Sequence, residues 1–303
     1  MQGDVGSSLN VQEFAARYIY LAKYEYDGPT IQNDNTLRLV PYPDSHCIVD
    51  SYRVVTSPSA PQVEFRDHFE NIVHRFRITE PHRGLFITVT GDVRLRPWQD
   101  VVPNLPVNQL KTDEAAEFLD PSPLINPAAV ANFAHELVGD YPSVVSAVTR
   151  VVNWVYANIE YRRGLTTVNT RAEDVLTLRT GVCQDKAHLA IALLRASGIP
   201  CRYVSAILTR QVGETHALLE FLHPTAGWLP ADPTRGVVIQ TGIDYIKLAV
   251  GRDYTDAPPV TGGFTSQWTG RLVRVLCFVR FNADKELLEE ALSLMGLKES
   301  WGT

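Results

Sequence analysis

Three short segments decide the fold: Gly181-Val182-Cys183-Gln184-Asp185, Thr215-His216-Ala217 and Trp228-Leu229-Pro230-Ala231-Asp232-Pro233-Thr234. The first opens an apolar helical pattern in which Ala187, Leu189, Ala190, Ile191, Leu193 and Leu194 recur at helix spacing. That run stops at Ser197-Gly198-Ile199-Pro200, with glycine just past the end and proline shortly after, a helix stop signal. Cys183 therefore belongs to the first helical turn, with Thr180 and Gly181 suited to a cap and a sharp entry. The unpaired N–H groups and positive dipole end of a first turn favour a thiolate and can also hold an oxyanion. A lone cysteine is more often a small buried hydrophobe. Cysteine, histidine and aspartate in this chain order are, however, the groups that thiolate catalysis on an acyl centre requires.

Three histidines compete for the role of base. His188 follows five residues after Cys183 on the same helix, which places it about 140° around the axis and facing away. It reads as a packing or hydrogen-bonded helix histidine. His216 opens the strand-like run Thr215 to Phe221, whose antiparallel partner is Cys201 to Leu208. His223 precedes Pro224 in a turn-rich stretch and is expected to be an exposed loop residue. Asp232 ends the next strand, one strand over from His216, where a carboxylate can accept the imidazole N–H and fix its tautomer. Asp-Pro-Thr also makes an ordinary turn.

On these residues the chain resembles the bacterial transglutaminase-like superfamily. Gly-Val-Cys-Gln-Asp, the helix Ala187 to Ala196, Gly198-Ile199-Pro200 and the strand from Cys201 carry the likeness, together with Thr-His-Ala and Gly227-Trp228 through Asp232-Pro233-Thr234. It extends into Val250 to Pro259, and Leu37 to Pro41 and Asp67 to Asn71 look like the β-rich region that precedes the core in one bacterial subfamily. The resemblance implies a papain-like half-fold, with Cys183 as nucleophile, His216 as general acid/base and Asp232 as its orienter. Two departures, Lys186 in place of a common aromatic residue and Leu229-Pro230-Ala231 before the aspartate, are expected to border the substrate groove. The family includes acyltransferases, peptidases, amidases and members without the triad, so the resemblance does not choose a reaction.

The expected fold class is α+β: an N-terminal antiparallel β-sandwich-like domain over residues 1–110, then a transglutaminase-like core over residues 111–303. Runs at 16–21, 35–40, 72–78 and 85–90 alternate as strands, separated by turn clusters such as Asp27-Gly28-Pro29. Arg38, Arg75 and Arg77 sit at alternating positions, as on a solvated sheet face. Residues 97–112 hold three prolines and read as a linker. From Asp120 the pattern turns helical, with Pro127 to Ala134 and then Val144 to Tyr161, whose Val151, Val155 and Ile159 form a packing stripe. A strand from Leu272 to Phe281 and a helix from Lys285 to Met295 follow.

At 303 residues with 45% hydrophobic content, the chain can bury two cores. A net charge of −6 argues against nucleic acid or an anionic membrane as partner. No run of 18 apolar residues and no apolar leader is visible, so a cytoplasmic setting is the expectation. Cys47, Cys183, Cys201 and Cys277 are widely spaced, without the pattern of a zinc site or disulfide framework. Cys201 and Cys277 read as core residues, and Cys47 with adjacent His46 as an unproductive pair, because strand neighbours face opposite ways. No cofactor or metal is expected. The primary hypothesis is a thiol enzyme acting on a peptide or protein amide through a thioester. Tyr161 and Gln184 are the candidates for the second oxyanion donor. The alternative is a catalytically idle fold that serves as a protein-binding scaffold.

Overall fold

A strand of 24 residues, β1 (Phe14–Leu37), organises the N-terminal half of the molecule. The computed structural model describes residues 12–97, 102–111, 113–139, 143–239, 243–283 and 287–296. β2 (Cys47–Ser57), β3 (Gln62–Arg66), β4 (Ile72–Ile78) and β5 (His82–Leu95) follow β1. The helical part holds α1 (Ala131–Val138), α2 (Val144–Asn158), β6 (Glu160–Tyr161), α3 (Ala172–Leu178), β7 (Thr180–Gly181) and α4 (Cys183–Ala196). A second sheet is built from β8 (Cys201–Leu208), β9 (His216–His223), β10 (Gly227–Asp232), β11 (Val237–Val238) and β12 (Tyr245–Gly251). The chain closes with β13 (Val260–Thr265), β14 (Gly270–Phe281) and α5 (Leu288–Leu294). This is the expected α+β class.

The first sheet is antiparallel and curls about β1. The front half of β1 pairs with β5 and β14, and its back half with β4 and β13. Two runs expected as separate strands are thus one, and Asp27-Gly28-Pro29 makes no hairpin turn. The ladder to β5 shifts register between Glu25 and Thr30 instead, which absorbs the proline without a reversal. Gly28 is required there, since a Cβ would fall 2.3 Å from the Trp268 indole. β13 and β14, which the expected boundary at 110 assigns with the core, hydrogen-bond to β1 in this first sheet. Tyr18, Tyr20 and Ala22 face its interior, while Ile19 and Leu21 lie under α5. That is why the front of β1 is buried on both faces. Arg77 is exposed and pairs with Asp34, and Arg75 is exposed, as on a solvated face. Arg38 is instead largely covered, bonded to Asp67.

The second sheet has the order β11-β10-β9-β8-β12. One face packs on α4 and α2, with Val151, Val155 and Ile159 in that core as expected. The other face sends Ile207, Ile246 and Leu248 into the interior of the first sheet. A balanced ion network joins the halves: Glu220 takes Arg202 at 2.6 Å and Lys247 at 2.5 Å, and Lys247 also reaches Asp44 at 2.8 Å. The edge of β12 is closed by Asn71, fully buried, whose Oδ1 accepts the Val250 N–H and whose Nδ2 donates to the Val250 carbonyl, both at 2.8 Å. Asn71→Ala strands both backbone groups away from water, so it is expected to cost about 2 kcal/mol. The urea midpoint of unfolding measures this, and an unchanged midpoint would count against Asn71 as the edge closure.

Candidate active site

Cys183 is the first residue of α4, but its cap differs from the expected one. Thr180 and Gly181 form β7, and the N-cap is Val182, which has no side-chain acceptor. Asp185 supplies the missing group, its Oδ2 accepting the Val182 N–H at 2.7 Å and the Thr166 hydroxyl at 2.7 Å. Gly181 makes room for that carboxylate, since a Cβ there would lie 2.6 Å from the Asp185 Cβ. At the far end, Gly198 takes φ +77° and the Ile199 N–H bonds the Leu194 carbonyl, the stop read from sequence.

β9 and β8 pair with Ala206 opposite His216, as expected. β10 pairs with β9 so that Ala231 lies opposite Leu219. Asp232, one residue further, is a diagonal neighbour of His216 on the same face. The His216 Nε2 and Asp232 Oδ2 are 2.8 Å apart. Asp232 is fully buried, and its Oδ1 accepts the N–H groups of Thr234 at 2.9 Å and Arg235 at 3.1 Å. The Asp-Pro-Thr turn is therefore both an ordinary turn and the device that fixes the carboxylate. The thiol of Cys183 lines the same cavity as the His216 ring. With Nε2 facing Asp232, the nitrogen left for sulfur is Nδ1. Burial disfavours the charged imidazole, but the hydrogen bond to Asp232 and the proximity of Asp232 and Cys183 outweigh it, raising His216 to about 9.

The other three thiols are inert by burial. Cys47 and Cys277 are pushed up to about 12, and Cys201 higher still. Cys183 alone of the four is only partly buried. His188 faces away, as expected: it is fully buried, its Nε2 accepts the Tyr254 N–H at 3.1 Å, and burial lowers it to about 4. His223 departs from expectation. It is 2% exposed, because it closes the β9–β10 hairpin by accepting the Ala226 N–H and ties Pro103 of the linker region to the core at 2.9 Å.

Cys183 and His216 line a cavity of about 180 Å³ with Tyr161, Arg163, Val212, Glu214 and Cys277. Parallel pairing of Tyr161 with Gly181 sets Tyr161 beside the nucleophile. Gln184 does not line this cavity, and its amide donates to the Val168 carbonyl at 3.0 Å. Arg163 and Glu214 form an exposed ion pair at 3.2 Å across the cavity mouth. Sequence reading missed both, although Arg163 stands two residues after Tyr161 and Glu214 two before His216. Cys277 reaches the cavity because β14 and Gly213 exchange two backbone hydrogen bonds there. Lys186 and Leu229-Pro230-Ala231, expected at the groove, are buried and do not line this cavity; Leu229 and Ala231 lie in the core beneath α4 and α2. A roomier cavity of about 520 Å³, lined by Arg17, Thr88 and Leu287, lies on the first sheet and holds no nucleophile–base pair. Among the described residues, no cluster of three His, Cys, Asp or Glu is placed to hold a metal ion, and no helix is long and apolar enough to cross a membrane.

Comparison with known proteins agrees with this architecture. The family model "Transglutaminase-like superfamily" matches residues 131–233, and "Bacterial transglutaminase-like N-terminal region" matches 17–94. A Mycobacterium tuberculosis protein of strain H37Rv is 32% identical over 275 residues, covering 81% of this chain and 83% of the relative. The chain belongs to the transglutaminase-like superfamily. A Mycobacterium leprae relative is 29% identical over 264 residues, covering 83% of this chain and 93% of its own. The crystal structure of a candidate cysteine protease from Cytophaga hutchinsonii superposes with a TM-score of 0.76 at 23% identity, covering 91% of this chain and 93% of its own, which shows the shared fold.

Proposed function

We propose that this transglutaminase-like protein is a thiol enzyme that cleaves or transfers a peptide or protein amide through a Cys183 thioester. The observation that carries the reading is the His216 ring, bonded to a buried carboxylate and lining one cavity with the Cys183 thiol. The Cys183 sulfur attacks the amide carbonyl carbon, and the C=O electron pair moves to oxygen. The Cys183 N–H at the helix start holds that oxyanion, with Tyr161, which lines the cavity, as candidate second donor. His216 gives its proton to the departing amine nitrogen as the C–N bond breaks. Water or a second amine then attacks the thioester, returning its proton to His216 and freeing the thiolate. The thiol content fits the cytoplasmic setting read from sequence.

The pH dependence follows from His216. A group raised to about 9 keeps its proton at neutral pH and loses it above that value. The part of iodoacetamide alkylation at Cys183 that depends on His216 is thus expected to persist through neutral pH and to vanish as pH rises through about 9. The experiment compares alkylation rates of wild type and His216→Ala from pH 5 to 10. If the two profiles coincide, the scaffold reading is favoured. Incubating the enzyme with a labelled peptide library, with and without added amine, then separates hydrolysis from transfer.

A further inference from the structure

The cleft over Cys183 lies between two loops whose backbones are tied down. On one side, residues 162–168 are strapped to the start of α4. The Arg162 N–H bonds the Gly181 carbonyl at 3.1 Å, the Thr166 hydroxyl donates to Asp185, and the Val168 carbonyl accepts from Gln184. On the other side, Gly213 exchanges backbone hydrogen bonds of 3.0 and 2.6 Å with Cys277. Arg163 and Glu214 reach from these loops and join, Nη1 donating to Oε1 at 3.3 Å and Nη2 lying 3.2 Å from Oε2. Both side chains line the cavity of Cys183 and His216, and they are 68% and 54% exposed. At about 180 Å³ that cavity is smaller than the roughly 300 Å³ or more of an ordinary ligand pocket, so a peptide needs more room than the pair leaves. With the backbones tied, the two long side chains are the parts that can yield. An ion pair this exposed has a small net worth, so parting it costs little.

A planar guanidinium takes a carboxylate on two parallel N–H groups, and Arg163 already holds one in that form. We propose, on the thiol-enzyme reading of Cys183, His216 and Asp232, that Arg163 is a specificity-determining residue that receives a substrate carboxylate. The Glu214 carboxylate is the displaceable group that fills its fork until substrate arrives. The substrate class is then a peptide amide with a carboxylate beside the scissile bond, from an acidic side chain or from a free chain end. Exchange of one carboxylate for another leaves the fork filled. A neutral peptide parts the pair and gives no bond back. Glu214, already half in water, is released to solvent at small cost. Without Arg163 an incoming carboxylate meets Glu214 across the mouth and is repelled.

The test uses three alkylating reagents of matched size on the full chain at neutral pH. N-iodoacetyl-glutamine amide is neutral, N-iodoacetyl-glutamic acid α-amide carries a side-chain carboxylate, and N-iodoacetyl-glutamine carries a terminal one. Mass spectrometry follows the rate at Cys183. At least one charged reagent is expected to outpace the neutral one by about threefold or more, and which one does so tells side chain from chain end. Arg163→Gln is expected to remove that preference. Glu214→Gln is expected to widen it to about tenfold, because the fork is then free. Arg162→Gln removes the same charge from a neighbour that does not line the cavity, and is expected to keep the preference. Equal rates for all three reagents in both wild type and Glu214→Gln overturn the proposal. So does a preference that survives Arg163→Gln, or one that Arg162→Gln abolishes as fully, which marks a general positive field. Cys183 reacting no faster than the buried thiols with any reagent is a different result. It removes the thiol-enzyme reading itself.

Discussion

Cys183→Ala is expected to abolish amide cleavage and acyl transfer while leaving the unfolding transition close to wild type. The residue opens α4 and is only partly buried, so losing its sulfur leaves little cavity behind. The Asp185 bond that caps the helix involves the Val182 N–H and survives the change. Cys201→Ala gives the opposite result. That side chain is fully buried in the core beneath α4, so its loss is expected to cost about 1–2 kcal/mol in stability with turnover retained in the folded fraction. Chemical denaturation and a single amide-release assay on both variants suffice. Turnover that survives Cys183→Ala removes the covalent route.

The second large effect separates His216 from Asp232. His216→Ala is expected to slow alkylation of Cys183 at pH 6 by about tenfold or more, because the thiol loses the basic ring that shares its cavity. Asp232→Asn keeps an acceptor for the Thr234 and Arg235 N–H groups, so the turn stays closed. Its amide cannot accept the His216 N–H as the carboxylate does, and the tautomer is no longer held. In a serine triad the corresponding error costs on the order of 10⁴ in rate. A thiol is a better nucleophile than a hydroxyl without that help, so alkylation of Asp232→Asn is expected to fall only modestly while turnover falls much further. Equal alkylation in wild type and His216→Ala sinks the coupling.

Much of this site was legible because its parts are local. A helix start is marked by composition, and the glycine-proline stop after Ser197 bounds it. His216 opens one short strand and Asp232 ends the next, where register follows from hairpin length. What stayed hidden depends on packing across long separations. Asp27-Gly28-Pro29 carries every local sign of a turn, yet Trp268, over two hundred residues away, holds that stretch straight enough to remain in β1. His223 looked like a loop residue because nothing near it announces Pro103 as its partner. Lys186 was legible only as a departure from a family pattern. Its burial depends on α2 and the β10–β11 turn meeting over it. The Arg163–Glu214 pair likewise joins two loops that no spacing rule connects.

The pairing of β1 with β14 sets the order in which the molecule can be completed. β1 leaves the ribosome well before Cys277, its partner opposite Tyr20. Until then the inner edge of β1 has no neighbour along its front half, and the hairpin before His216 lacks the two bonds that Gly213 makes with Cys277. Pairings of such long range form late, because the loop they close is paid for before any contact rewards it. One wall of the thiol's cavity is therefore supplied by β14, a strand made after both Cys183 and His216. A growing chain carries Cys183 and His216 before their cleft is finished.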